Sequence, residues 1–418
     1  MSIRGRPVAA VLATAVVAAL AVAARTGAAT PPPTPIGPSG SRSPFPTALH
    51  TPKDASPVPG VTAAAAVLED LDTGQVLFAK AAGARRPVAS LTKMMTALLA
   101  LERLPLSRMV TVRSSAASEP GATLGLRVGE RLTARDLLTG MLLASADDAA
   151  VALGQAVAGS VLGFVDQMNA RARELGLRRT HFTSPDGFDN AGLSTGRDLA
   201  ILARTAMRDP VFDAIVRAKR ATVRSLDGPV RVVQNRNVLL WLYPGAIGIK
   251  TGFTTAAGHC VAAAAERGGV RLLAVVLGAQ RDAFSDAAAL LNHGFAAFRR
   301  TTVVGAGRML GTLTVGATGV QVAAAAALAP LVPTSWLGRV TLLLREAPGL
   351  RAPIAPGTTV GTVTAFAGRM RLGSVPAVAA AAAPARRPRP GPSGPPDPLR
   401  AAYEALRGFA GAVFGGFL

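Results

Sequence analysis

The sequence predicts an α/β fold of the α+β kind. One unit has its first and last strands in a common sheet with helices between them, and a small all-β domain follows. Three observations predict it. Strand patterns flank a block of helical patterns between Ala64 and Phe298. Two capping signatures, Thr133-Ala-Arg-Asp136 and Thr195-Gly-Arg-Asp198, open helices inside that block. After Thr301 the texture turns to Gly, Val, Thr and Leu, the composition of short strands and turns.

In chain order, Arg4 and Arg6 precede the uncharged, mostly apolar run Pro7 to Ala24, and small residues follow it. Residues 1–29 therefore read as a secretory signal, with an uncleaved anchor as the alternative. Either reading puts the rest of the chain in the cell envelope, on the outer face of the cytoplasmic membrane or secreted. Residues 30–59 are rich in Pro, Ser, Thr and Gly, a semi-stiff linker. The main unit spans 60–300. Ala65 to Leu71 and Gln75 to Phe78 are strands about a tight turn, with Gly74 supplying positive φ. Leu91 to Leu101 is apolar nearly all round and predicts a buried helix. Helices follow through Leu143, from Phe164 to Leu175 and from Leu199 to Met207. Ile247 to Thr251, Cys260 to Ala265 and Leu272 to Leu277 read as strands, and Ala287 to Phe298 as a closing helix. The β-rich domain occupies 301–377, an Ala/Pro/Arg-rich linker 378–398, and a tail that can lie amphipathically on a membrane 399–418.

The chain has 418 residues and one cysteine, Cys260, which excludes an internal disulfide and a Cys-based zinc site. Its four histidines show no metal-ligand spacing. Neither a metal nor an organic cofactor is implied. The formal net charge is +21 with only 4% aromatic residues. That charge suits anionic wall polymers or a membrane surface. Nucleic acid is disfavoured, because no recognition motif accompanies the charge.

Three segments carry candidate chemistry. In Ser90-Leu-Thr-Lys93 the hydroxyl and the amine share a helix face. A serine needs a base, and a lysine serves as one only when its pKa is lowered. Ser145-Ala-Asp147 stands just after a helix, and Lys250-Thr251-Gly252 lies on a strand. Each segment alone is weak. The three in this order, the first inside an apolar helix, are a strong signal. Gly192-Leu-Ser-Thr-Gly196 also matches G-x-S-x-G, but loop residues precede it where a nucleophile elbow needs a strand. Trp241 and Tyr243 suit either the cleft or simple packing.

The resemblance extends further. It is carried by Pro87 to Thr96, Leu175-Gly176, Thr180-His-Phe182, Pro185-Asp-Gly187, Ser194-Thr195, Asp198-Leu-Ala200, Asn235-Arg-Asn237 and Tyr243 to Gly252. From about Ala64 to Phe298 the chain resembles the secreted serine D-alanyl-D-alanine carboxypeptidases, the low-molecular-mass penicillin-binding proteins. The segment up to Ala377 is similar to the β-rich domain they carry. The resemblance implies a β-lactamase/transpeptidase-like domain, an antiparallel sheet flanked by helices. It implies a peptidoglycan stem peptide as substrate and β-lactam antibiotics as inhibitors. Ser90 would be the nucleophile, Lys93 its base and Ser145 a proton relay. Lys250 and Thr251 would bind the substrate carboxylate, with Gly252 permitting close approach. Backbone N–H groups of Ser90 and Phe253 would form the oxyanion hole. Arg236 and Arg281 match family arginines near the carboxylate site. The alternatives are a D,D-endopeptidase or β-lactamase of the same fold, or an envelope binding protein of low activity.

One residue departs from the family. Asp147 stands where Asn is usual. An ionised Asp keeps the acceptor of an amide and loses its donor. It would pair with Lys93 or Lys250 and raise that lysine's pKa. The sequence therefore predicts that Asp147→Asn keeps or raises peptidase turnover, as free D-Ala release would measure.

Overall fold

A computed structural model of the chain describes residues 60–316, 318–384 and 402. The signal or anchor, the first linker, most of the second linker and all of the tail but Ala402 lie outside the described residues. The described chain divides into two units, one ending at Thr301 but including Pro330–Val340, the other made of Thr302–Ala329 and the residues from Thr341.

The first unit is built on a five-stranded antiparallel sheet. Its strands are β1 (Ala65–Asp70), β2 (Val76–Lys80), β3 (Ala246–Thr254), β4 (Gly258–Arg267) and β5 (Val270–Ala279), in the order β2-β1-β5-β4-β3. The early strands thus join the late ones, with Ala65 opposite Leu277 and Asp70 opposite Leu272. Every residue of β1 is buried. Successive side chains of a strand point to opposite faces. A Cβ added at Gly196 would lie 3.8 Å from Val67, and one added at Gly294 would meet Leu68 at 3.1 Å. Helices therefore cover both faces, which is why these strands read as continuous apolar runs and not as alternating ones.

The helices longer than four residues are α1 (Lys93–Arg103), α2 (Ala134–Ala144), α3 (Asp147–Ala158), α4 (Val161–Glu174), α5 (Gly196–Ala206), α6 (Pro210–Arg217) and α7 (Ala283–Ala297). Both capping signatures work as written: Thr133 Oγ1 accepts from the N–H of Asp136 at 3.0 Å, and Thr195 Oγ1 from that of Asp198 at 3.1 Å. Helix α1 packs on α2, α3 and α5, so Lys93 to Ala100 are buried without a break. Helix α3, helix α6 and a hairpin of Arg220–Arg224 with Val230–Gln234 lie where no sequence pattern is strong enough to place an element.

The second unit is a sheet of β6 (Met309–Val315), β7 (Thr318–Ala324), β8 (Thr341–Glu346), β9 (Thr359–Ala367) and β10 (Met370–Ala379), in the order β6-β7-β10-β9-β8. Val320, Val322, Val360 and Ala377 fill its core. Two boundaries need correction. Residues 330–340 belong with the first unit, because Leu331–Pro333 pairs with Phe298–Arg300 and Gln75 exchanges hydrogen bonds with Leu331 at 2.7 and 2.8 Å. The second unit also runs past Ala377: β10 ends at Ala379, and Ala383 bridges to Ile354.

Asp286, in the first turn of α7, fixes the path into β1. Its carboxylate accepts from the N–H and Oγ1 of Thr62, both at 3.0 Å, and from the N–H of Ala63 at 2.7 Å. Asp286→Ala is expected to cost about 1–3 kcal/mol through the buried N–H groups it strands. The denaturant midpoint measures that loss.

Candidate active site

The nucleophile turn comes first. Ala89–Thr92 is a 3-10 turn leading into α1. Side chains three apart eclipse in that geometry, and Lys93 Nζ donates to Ser90 Oγ at 2.8 Å. The same amine donates to Asp147 Oδ1 at 2.5 Å and to the carbonyl of Asp186 at 2.8 Å. Lys93 itself is fully buried.

Ser145 and Ala146 join α2 to α3. The Ser145 φ of 62° lies in the left-handed region, uncommon for a residue with a side chain. The turn brings its hydroxyl to Lys250, whose Nζ donates to Ser145 Oγ at 2.8 Å and to the carbonyl of Thr251 at 2.8 Å. Lys250 rides on β3, opposite Ala262 of β4. Two residues on, a Cβ built on Gly252 would come within 3.1 Å of both Ser90 N and Val88 O. The glycine lets β3 run against the nucleophile turn.

A cavity of about 460 Å³ opens beside these groups. Of the residues singled out from the sequence, Ser90, Ser145, Asp147, Arg236, Thr251, Gly252 and Phe253 line it. Lys93 and Lys250 do not; they stand behind the wall, hydrogen-bonded to Ser90 and Ser145. Arg281 is corrected: it is exposed and outside the lining, and its neighbour Asp282 takes that place while capping α7. Trp241 and Tyr243 are not lining residues either. Tyr243 is buried with its hydroxyl donating to Asn292 Oδ1 at 2.9 Å, and Trp241 lies under Lys219. The lining the sequence did not reveal includes Ala122, Phe188, Asn190, His259 and Phe284. Loop residues carry no period, so only the resemblance at Pro185-Asp-Gly187 pointed near them. Cys260 also borders the cavity, and burial pushes its thiol up to about 11, which keeps it protonated and inert. Among the described residues, no three His, Cys, Asp or Glu side chains converge to hold a metal ion.

The charges are tightly packed. Burial, then the nearby positive charges of Lys93 and Arg236, hold Lys250 well below the ordinary lysine range. Burial raises Asp147 above the ordinary carboxylate range although Lys93 pulls it down. Glu119 is pushed up to about 7, by burial first and then by Asp186 and Asp147.

Asp147 uses both carboxylate oxygens as acceptors. Oδ1 faces Lys93, and Oδ2 accepts from the N–H of Ala122 at 2.7 Å. Its own N–H donates back to the carbonyl of Ala122 at 2.5 Å. An amide cannot satisfy two donors with two acceptors. That geometry argues against the sequence-based expectation that Asp147→Asn keeps or raises turnover.

Gly187 closes the site from the loop side. Its φ is +77°, and a Cβ there would fall 2.2 Å from the carbonyl oxygen of Ala89. Gly187→Ala must move either backbone, at an expected cost above about 2 kcal/mol. It is expected to lower the melting temperature and to slow penicillin labelling together.

Comparison with known proteins gives the chain its family. The D-alanyl-D-alanine carboxypeptidase model matches residues 51–281. The chain is 38% identical over 253 residues to the D-alanyl-D-alanine carboxypeptidase DacB2 of Mycobacterium tuberculosis, covering 59% of this chain and 86% of that one. It is 34% identical over 326 residues to DacC of Escherichia coli, covering 73% and 80%. The structure is similar to penicillin binding protein 5 from Haemophilus influenzae, at TM-score 0.66 and 28% identity, covering 79% of this chain and 99% of that one. With more than half of its length matched by the family model and most of a 38%-identical relative covered, the chain belongs to the D-alanyl-D-alanine carboxypeptidase family.

Proposed function

We propose that this serine carboxypeptidase removes the terminal D-Ala of peptidoglycan stem peptides through an acyl-enzyme on Ser90. The observation that carries the reading is the 2.8 Å contact of Lys93 Nζ with Ser90 Oγ beside an open cleft. Ser90 attacks the carbonyl carbon of the penultimate D-Ala and gives its proton to the Lys93 side. The developing oxyanion meets the backbone N–H groups of Ser90 and Phe253. Ser145 passes a proton to the departing nitrogen, and Lys250, hydrogen-bonded behind it, makes good the loss. Thr251 and Arg236 receive the terminal carboxylate. In support, Arg236 lines the cavity, and its Nε is buried without a hydrogen-bond partner. Water then hydrolyses the ester. β-Lactams acylate the same serine.

The substrate lies outside the cytoplasm, so the reading also places the enzyme in the envelope. The Arg4 and Arg6 region with its apolar run supports that placement, and the +21 charge suits anionic wall polymers or lipid.

Incubation with a stem pentapeptide is expected to release free D-Ala. A fluorescent penicillin is expected to label the chain stably, and Ser90→Ala to abolish both signals. Rapid loss of label with antibiotic hydrolysis would mean a β-lactamase instead. Absence of labelling would overturn the enzymatic reading.

A further inference from the structure

Lys93 presents a difficulty for any mechanism in which it is the base. Its Nζ has three hydrogen-bond neighbours: Ser90 Oγ, Asp147 Oδ1 and the carbonyl oxygen of Asp186. All three accept, and an ammonium has three N–H bonds to give. Opposite the Asp147 carboxylate, an ammonium at Lys93 would have each N–H met, and in that state the lysine cannot take a proton from Ser90. The proton must leave Lys93 before or during attack. The Asp186 carbonyl is a backbone amide and cannot hold it, and Ser90 is the donor in the reaction. Asp147 Oδ1, at 2.5 Å, is the one neighbour able to receive it.

We propose that Asp147 is the proton acceptor that converts Lys93 from an ammonium into a base, so that the Ser90 proton is taken up by a lysine–carboxylate pair. The proposal rests on the assignment of Ser90 as nucleophile. As Ser90 Oγ bonds to the substrate carbonyl carbon, its proton moves to Lys93 Nζ, and a proton of Lys93 moves to Asp147 Oδ1. The carbonyl π pair becomes the oxyanion. On collapse the C–N bond breaks, its electron pair stays on nitrogen, and nitrogen takes one proton through Ser145 from those held by Asp147, Lys93 and Lys250. The group gains one proton and loses one.

The surroundings favour the transfer. Protonating Asp147 while neutralising Lys93 removes two buried charges at once. Burial raises the carboxyl, which favours its taking a proton. The charged groups around Asp147 come from every wall. Asp186 and Glu119 oppose its charge from the loops, while Lys93 on α1, Lys250 on β3 and Arg236 favour it. Asp148, next on α3, is occupied with the N–H groups of Leu124 and Leu126. Asp147 acts through Lys93 and touches no substrate atom in this role; it is a positioning residue that also moves a proton.

The pH dependence of acylation tests this. The reactive pair carries one proton, and a second proton, on the carboxyl, abolishes it. The acid limb of the native enzyme should therefore follow a carboxylate, with acylation by a fluorescent penicillin flat through neutrality and falling only on the acid side. In Asp147→Asn the lysine must lose its proton to solvent, so the limb should follow an ammonium and move to higher pH by a unit or more. Its rate at neutral pH should fall about 10²-fold. Asp147→Glu should restore the position of the limb even where the rate stays low. If Asp147→Asn slows acylation but leaves the limb unmoved, Asp147 is only structural and the proposal fails. Should that variant not fold, the native enzyme decides alone: an acid limb in the alkaline range overturns the proposal. Loss of labelling in Ser90→Ala tests the underlying reading separately.

Discussion

A lysine amine with no exposure to solvent, one 3-10 turn from a serine hydroxyl, is the constraint around which the first unit is arranged. An ammonium away from water needs every N–H filled and a countercharge close by. The partners of Lys93 come from its own turn and from two remote parts of the chain, the start of α3 and the loop at Asp186. Each must be held in register by ordinary packing. Helix α1 is buried on all sides so that its first residue cannot swing out. The fold is thus less a support on which a site has been placed than the means of keeping one cation dry and reactive.

The second lysine obeys the same physics with the opposite result. Lys250 is as deeply buried, but its partners are a hydroxyl and a carbonyl, and no carboxylate touches it. With Lys93 and Arg236 nearby it is held far below its usual proton affinity. Two amines of one kind thus have different partners within one cleft. Asp147 supplies the carboxylate that touches Lys93.

The parts of the fold legible in the sequence were those with short-range causes. Ser90 and Lys93 could be paired because three residues span one turn. Helices α2 and α5 announced themselves through Thr133 and Thr195. Strands β4 and β5 showed as apolar runs bounded by glycine. Ala122, Phe188 and Asn190 were illegible because loops carry no period and reach the cleft only through tertiary packing. Arg281 stands exposed outside the lining, while Asp282 beside it caps α7 and borders the cavity. The role of Asp147 was half legible. Its pairing with a lysine followed from charge, while its second oxygen, engaged by Ala122, needed coordinates.

The path of residues 330–340 has a consequence of its own. These residues leave the second unit's sequence to give Phe298–Arg300 its strand partner and Gln75 its two hydrogen bonds, then return at Thr341. The first unit is therefore discontinuous in sequence, and no single cut separates it intact. Trimming the chain at Thr301 would leave a sheet edge and a buried amide bare.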